Sequence, residues 1–369
     1  MACALAWPLE RATAQTADSS YHATPGRDTT RKLTFGGFVD TYHAWDFDRP
    51  HTFDRAFTTQ PARYAEFNVN LAYLETKVTG PRYRGRFAAQ WGTSVQSNYF
   101  NEPRNGIVSG PSVSQFIQEA TAGYQLGPTL WIDGGIFFAH VGYESWISRD
   151  NLTYTRSMVA DFSPYYESGV KFTWTPSRRV TTTFAAVNGW QVISAENESP
   201  GGGIRIDYYP NAKVTLTYDN YVGNSAPDTI AARTRFYHDV ILQYNPDDRW
   251  QLATVYAIGT QNRSTSRGGT ASWWGTTTIA KYHASKTAAI VGRFESYRDP
   301  SQVIVSTNLP NAFKTMSASL GLDVNFRQPV LWRTEIRGYR SVGNVWPLHT
   351  IGDFGGRDGF VVTSLDLTF

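Results

Sequence analysis

From Leu33 to the last residue, apolar and polar side chains alternate in steps of two, and no helical period intervenes. In the closing segment Val361, Leu365, Leu367 and Phe369 point one way, and Ser364, Asp366 and Thr368 point the other. Met316, Ala318, Leu320, Leu322, Val324 and Phe326 likewise share a face opposite Ser317, Ser319, Gly321, Asp323 and Asn325. Next, Val330, Trp332, Thr334 and Ile336 alternate with Arg333, Glu335 and Arg337. Earlier segments repeat the pattern. Phe67, Val69 and Leu71 oppose Glu66, Asn68 and Asn70, and Tyr83, Phe87, Ala89 and Trp91 oppose Arg84, Arg86 and Gln90. Val170, Phe172 and Trp174 oppose Glu167 and Lys171; Ile204, Ile206 and Tyr208 oppose Arg205 and Asp207; Ile290 and Phe294 oppose Arg293 and Glu295. Glu75 and Lys77 fall on the phase of Leu71 and Tyr73, which calls for a bulge or an early end to the strand.

Turn residues punctuate these runs. Tight turns are predicted at Gly80-Pro81, Gly127-Pro128, Pro176-Ser177, Pro210-Asn211, Pro246 to Asp248, Ser285 and Gln328-Pro329. Long connections rich in Gly, Asn, Ser, Asp and Pro are predicted near 48–61, 98–113, 140–162, 192–202, 224–232, 261–271, 300–311 and 342–357. Seven short turns and eight long loops join sixteen strands and leave both ends of the run on the short-turn side. The pattern is weakest before Gly127 and from Ala231 to Tyr237.

Composition bears on which solvent meets the apolar face. Aromatic residues make up 15% of the 369, with 12 Trp and 21 Tyr. Yet the mean hydropathy is −0.38, and no run reaches the roughly 18 apolar residues of a spanning helix. A membrane barrel reconciles these, since only one face of each strand has to be oily. The aromatics group at the strand ends. One row lies by the short turns: Tyr83, Tyr124, Trp131, Trp174, Tyr208, Tyr209, Tyr244, Trp250, Tyr282, Phe326, Trp332 and Phe369. A second lies by the long loops: Trp45, Phe138, Trp190, Tyr221, Trp273, Tyr297, Phe313, Tyr339 and Phe360. Two rows are expected as lipid-facing girdles at two interfaces. The predicted fold is an all-β transmembrane up-and-down antiparallel β-barrel over residues 33–369, with about 16 strands, short periplasmic turns and long extracellular loops.

Thirty-four Lys and Arg against 31 Asp and Glu leave a net charge of +3 with no basic block, which excludes a dedicated nucleic-acid partner. Residues 1–15 read as a truncated signal peptide, with Ala12-Thr13-Ala14 as its small-residue cleavage site; Cys3, the sole cysteine, would leave with it. Residues 16–32 are polar and expected to be disordered. Seven His show no ligand spacing, so no metal and no cofactor is expected. His238 and Asp239 adjoin but face opposite sides of a strand, and Asp247-Asp248 reads as turn chemistry. No Ser sits in a nucleophile elbow, and Ser319 and Ser364 lie on the polar face, so no catalytic residue is assigned and no enzyme is expected.

The polar face would line the interior. Glu66, Arg84, Arg86, Glu167, Lys171, Arg205, Asp207, Arg293, Glu295, Arg333, Glu335 and Arg337 are the expected pore-lining residues. An ionised group in a closed lumen must be paired or hydrated, so a wet lumen is expected. Sixteen strands leave room for water where eight are filled by side chains.

Two segments, "SPYYESGVKFTWTPSRRVTTTFAAVNGW" (Ser163–Trp190) and "FGGFVDTYHAWDF" (Phe35–Phe47), resemble the OmpL-like family of outer-membrane β-barrel porins, and the likeness runs from about residue 33 to the end. These are strand and turn patterns rather than catalytic signatures. The resemblance implies a barrel in the outer membrane of a Gram-negative bacterium, passing small hydrophilic solutes by passive diffusion. It implies outer-membrane lipid around the barrel, an assembly machinery that reads the strand ending in Phe369, and a homotrimer as one arrangement. In general porins a long third loop folds into the channel; the third here, His140–Asp161, is the longest and offers Glu144, Arg149, Asp150 and Arg156 to a constriction. The mixed signs of the inward charges predict weak ion preference. Alternation alone leaves two other readings open: a plugged barrel acting as an adhesin or structural protein, and a soluble secreted β-protein whose apolar face is its core.

Overall fold

A computed structural model describes residues 31–263, 268–327 and 329–369. The expected signal segment and nearly all of the polar stretch after it lie outside these residues. The strands are β1 (Lys32–Asp46), β2 (Phe67–Thr79), β3 (Tyr83–Trp91), β4 (Ile117–Gly127), β5 (Leu130–Phe138), β6 (Tyr166–Ser177), β7 (Val180–Val187) and β8 (Gly201–Asn211). They continue as β9 (Val214–Asn224), β10 (Thr234–Tyr244), β11 (Trp250–Asn262), β12 (Thr270–His283), β13 (Ala288–Asp299), β14 (Phe313–Arg327), β15 (Val330–Ser341) and a final strand, Arg357–Thr368. All pair antiparallel with their chain neighbours, and β1 closes the ring on the final strand from Phe38↔Thr368 to Asp46↔Phe360. Closure leaves no barrel strand with an open edge, which is what a lipid-exposed sheet requires.

The short and long connections alternate in the expected order, and the strand before Gly127 and the one after Ala231 both form; Pro176-Ser177 and Pro210-Asn211, expected as turns, instead end β6 and β8, and Gln328 and residues 264–267 lie outside the described residues. Asp247 shows the local chemistry: its Oδ1 accepts from the backbone N–H of Arg249 at 2.8 Å and of Trp250 at 3.0 Å. Outward side chains are the apolar ones; Phe294, Leu320, Ile336 and Leu365 are all exposed. In a bilayer those chains meet hydrocarbon.

The short-turn aromatic row faces outward as expected, with Tyr83, Tyr124, Trp174, Tyr208, Tyr244, Trp250, Phe326 and Phe369 exposed. Tyr209 does not, since it shares the phase of buried Arg205 and Asp207, and neither does Trp131. It lies on the phase of buried Asp133, and the Arg84 guanidinium stacks over its ring at 4.4 Å. The loop-end row is corrected more deeply. Trp45 faces out, but Tyr221, Trp273, Tyr297, Phe313, Tyr339 and Phe360 are buried on the inward phase. They pack with Trp190, Phe57, Phe162 and Trp346 from four loops that fold into the mouth. The cause is a phase of one residue: at Trp273-Trp274 the neighbour, Trp274, takes the outward position.

The bulge required in β2 is present, between Asp40 and Thr41 of the β1 pairing, opposite Asn70. It carries Leu71 and Tyr73 to the interior with Glu75 and Lys77, so Leu71, read as outward, is inward and fully buried.

Gly135 in β5 has φ +130°, and a Cβ there would overlap the carbonyl oxygen of Ala120 on β4. Gly135→Ala is expected to lower stability by about 2 kcal/mol or more, read as a lower urea midpoint for loss of the compact form in gels run without boiling.

Candidate functional site

The third loop, residues 139–165, enters the barrel, and its contacts with inward side chains fix its path. At its start His140 Nδ1 meets Glu167 of β6 at 2.8 Å, and Gly142 donates its N–H to Asp219 of β9 at 3.2 Å. Arg205 of β8 donates to the Gly142 carbonyl at 2.9 Å. Across the barrel, Asp40 of β1 accepts from Ser148 Oγ at 2.7 Å and from Tyr154 Oη at 3.1 Å. Arg333 of β15 donates to three loop carbonyls: Ser148 at 2.7 Å, Asn151 at 3.1 Å and Leu152 at 2.8 Å. Arg149 reaches Asp366 of the final strand and the Pro329 carbonyl, so the tip comes down to the short-turn end.

The returning limb meets an alternating cluster of charges on β13 and β15. Arg293 pairs with Glu335 at 2.8 Å and donates to the Thr155 carbonyl at 2.6 Å. Glu335 accepts from the N–H of Thr155 at 2.8 Å, and Glu295 from the N–H of Met158 at 2.6 Å. Arg337 pairs with Glu295 and donates to the Arg156 carbonyl at 2.7 Å. Arg293, Arg333 and Arg337 keep 3%, 0% and 1% of their surface exposed. The expected lumen of hydrated charges is therefore corrected on this wall: carboxylates and loop carbonyls satisfy these groups where water was expected to.

On the opposite wall the charges pair among themselves. Arg84 forks onto Asp133, and Arg86 joins Glu75 of β2 to Glu119 of β4. Lys77 meets Glu75 at 3.2 Å, and Arg205 spans Asp207 at 3.1 Å and Asp219 at 3.2 Å. Lys171 of β6 lies 4.4 Å from the Phe137 ring and stays half-exposed, as do Glu75 and Lys77.

Eleven of the twelve expected lining residues thus face the interior. Glu66 does not; it sits just before β2 at the loop end, paired with Arg63 at 2.7 Å. Of the four constriction candidates, Glu144 and Arg156 are buried within the loop's own fold. Glu144 accepts from Ser157, and Arg156 donates to the Ser145 and Trp146 carbonyls and stacks on Tyr165. Arg149 and Asp150 alone keep exposed surface at the tip. Sequence reading missed Asp40, Glu119, Asp133 and Asp219, and also an apolar inner stripe of Ile241, Ala253, Val255, Ile279 and Val291 that packs with Leu152. Such strands are apolar on both faces, so alternation carries no signal for which side is in. Among the described residues no group of His, Cys, Asp and Glu is placed to hold a metal ion.

Glu335→Ala would remove the 2.8 Å partner of Arg293 and the acceptor of the Thr155 N–H, leaving Arg293 only Glu295 at 3.3 Å and Glu144 at 4.0 Å, at a cost of about 3 kcal/mol. The expected result is protease cleavage within residues 139–165 of a barrel that otherwise stays intact. Asp161, on the returning limb of the loop, accepts from Thr59 Oγ1 at 2.6 Å, with its Oδ2 shut off from water. Burial pushes its carboxyl up from 3.8 to about 6, against the pull of Thr59, Arg337 and Arg156. The folded loop then holds a proton that the unfolded chain has lost. This stabilisation is full below pH 3.8 and is gone once the pH has risen past about 6. Asp161→Asn should remove that part of the pH dependence, seen by comparing thermal midpoints of the two proteins at pH 4, 5 and 7.

The family described as "Putative beta-barrel porin-2, OmpL-like" matches residues 32–361. No curated protein matches the chain in sequence. Among solved structures, the anion-selective porin from Comamonas acidovorans superposes with a TM-score of 0.61 at 11% identity, covering 92% of this chain and 100% of its own. The outer membrane channel DcaP of Acinetobacter baumannii gives 0.60 at 10% identity, over 93% of this chain and 98% of its own. The trimer form of OmpT, an outer membrane protein of Vibrio cholerae, gives 0.59 at 8% identity, over 92% of this chain and 100% of its own. At such identities these likenesses speak for the fold, and the family match carries the assignment. With a closed sixteen-stranded barrel, an inward-folded third loop and a family match across nearly all of the described residues, this chain belongs to the OmpL-like β-barrel porin family, outer-membrane channels for small solutes.

Proposed function

We propose that the chain is a passive diffusion channel in the outer membrane of a Gram-negative bacterium, narrowed by its third loop. The observation that carries this reading is the anchoring of residues 139–165 to the walls of the barrel. A polar solute crossing lipid must shed its water, and a lined aqueous path removes that barrier. The path runs between the loop and the wall of β2 to β7, where Glu75, Lys77 and Lys171 keep exposed surface. Because most charges there are paired, the channel discriminates weakly by sign and mainly by size. No step in this mechanism uses a catalytic group or a cofactor.

The exposed outer face makes lipid the partner of the barrel, and the strand ending in Phe369 is the segment an assembly machinery would read. A homotrimer fits an apolar outer groove of about 710 Å³ beside the seam, lined by Phe67, Val69, Phe326, Trp332 and Leu365 together with polar Thr41 and His43. Cross-linking in membranes tests it; a monomer as the sole product would reject it.

In a planar bilayer the purified protein should give discrete conductance steps, with a reversal potential near zero in a salt gradient. Removing residues 145–155 should raise the step size several-fold. A folded protein that gives no steps would reject the channel and favour the plugged barrel.

A further inference from the structure

The outer wall carries a row of cations that the channel does not use. Arg298 on β13 pairs directly across the sheet with Lys314 on β14. Arg340 on β15 pairs directly with Arg357 on the final strand. The two pairs are neighbours, because Arg340 stands opposite Met316, two residues from Lys314 on the same face. All four lie on the outward phase, at the long-loop ends of four adjacent strands. Arg298, Arg340 and Arg357 are exposed and Lys314 is half-buried. Among the described residues no salt bridge reaches any of them.

Like charges directly opposite on a sheet destabilise it, and diagonal neighbours are still within reach of long side chains. A fold that sets two such pairs side by side, facing away from the interior, gains when an anion bridges them. The surface there is also shaped. A cavity of about 420 Å³ opens beside Arg340 and Arg357, floored by the Gly355-Gly356 backbone and walled by Leu348. Asp48 lies on its rim as the one carboxylate, against four cations along the row. A guanidinium pair beside a backbone floor fits phosphate oxygens, which Arg binds in a forked manner. The apolar strand faces below the row suit acyl chains.

We propose that this row binds the phosphates of a phosphorylated acyl glycolipid in the outer leaflet, a lipid-A-like headgroup held against β13, β14, β15 and the final strand. The inference rests on the outer-membrane reading above, which places the long-loop ends at the outer headgroups. The occupant is membrane lipid rather than free phosphate, since the cations sit on the lipid-facing phase directly above exposed Phe294, Leu320 and Ile336.

Native mass spectrometry of the full chain in detergent tests this with bis-phosphorylated lipid A as the probe. Wild type should retain it, and the variant R298Q/K314Q/R340Q/R357Q should lose at least about tenfold in affinity. R178Q/R179Q/K213Q/R249Q, at the short-turn end, should bind as wild type does. Equal binding by the first variant overturns the proposal. So does equal retention by wild type of lipid A stripped of its phosphates, a comparison that needs no variant to fold. Equal retention of phosphatidylglycerol, or displacement by an equal concentration of inorganic phosphate, also overturns it by assigning the row to any anion. Heat-dependent gel mobility and conductance of the same preparation report on the barrel separately, so a failed lipid assay is distinguishable from a failed channel.

Discussion

Closing a sheet around charged side chains creates a debt that hydrocarbon cannot settle. Each inward Arg or Glu has to find an opposite charge, a carbonyl, an N–H or water. In this barrel the third loop supplies most of the answer on one wall. It brings carbonyls to Arg293, Arg333 and Arg337, and N–H groups to Glu295 and Glu335. The charges in turn hold a long segment in place that has almost no regular structure of its own. Neither wall nor loop is satisfied alone. The position of the loop, and hence the width of the path, follows from that mutual requirement.

The energetic sign of such a network needs care. Buried ion pairs pay heavily in desolvation, and an apolar replacement of equal shape is often as stable. What the network gives is specificity: an apolar wall would let the loop slide, whereas Arg333 accepts only the arrangement that presents three carbonyls at once. The apolar stripe on β10 to β13 marks the contrast. There Ile241, Val255 and Ile279 pack against Leu152 without directional contacts, and Lys281, hydrogen-bonded to Asp323 at 2.6 Å, borders the packing.

How far the sequence revealed this depends on how each face was coded. Strands such as β14 and β15, apolar on one side and charged on the other, disclose which face turns inward once a barrel is assumed, and the turn residues disclose the strand count. Inward Arg333 and Glu335 were legible for the same reason. Their state of pairing was not, because it depends on loop carbonyls and a loop N–H 180 or more positions away, and a backbone group leaves no mark in a sequence. Tyr221, Trp273 and Tyr339 misled in a different way. An aromatic at a strand end satisfies an interface equally well from either face, and only the loops filling the mouth decide which face it takes.

The same asymmetry separates the two sets of arginines. Arg293, Arg333 and Arg337 sit among acceptors that the chain itself provides, so their charge is neutralised from within. Arg298, Arg340 and Arg357 lie within a few residues of them along the same and neighbouring strands, yet on the other face, where no salt bridge among the described residues reaches them and Asp48 is the one carboxylate beside them. A strand's two-residue period makes that division sharp: one step along β13 or β15 moves a guanidinium from an internal clamp to the boundary with the membrane. One carboxylate does not balance four cations, so most of the neutralising charge for the outer set has to come from the surroundings, and at the level of the long loops those surroundings are lipid headgroups and salt solution. Salt screens exposed charges within about 8 Å at physiological strength, which blunts the repulsion but does not order the side chains. A fixed anion does both, and the phosphate of a neighbouring lipid is the anion that the membrane holds at that height.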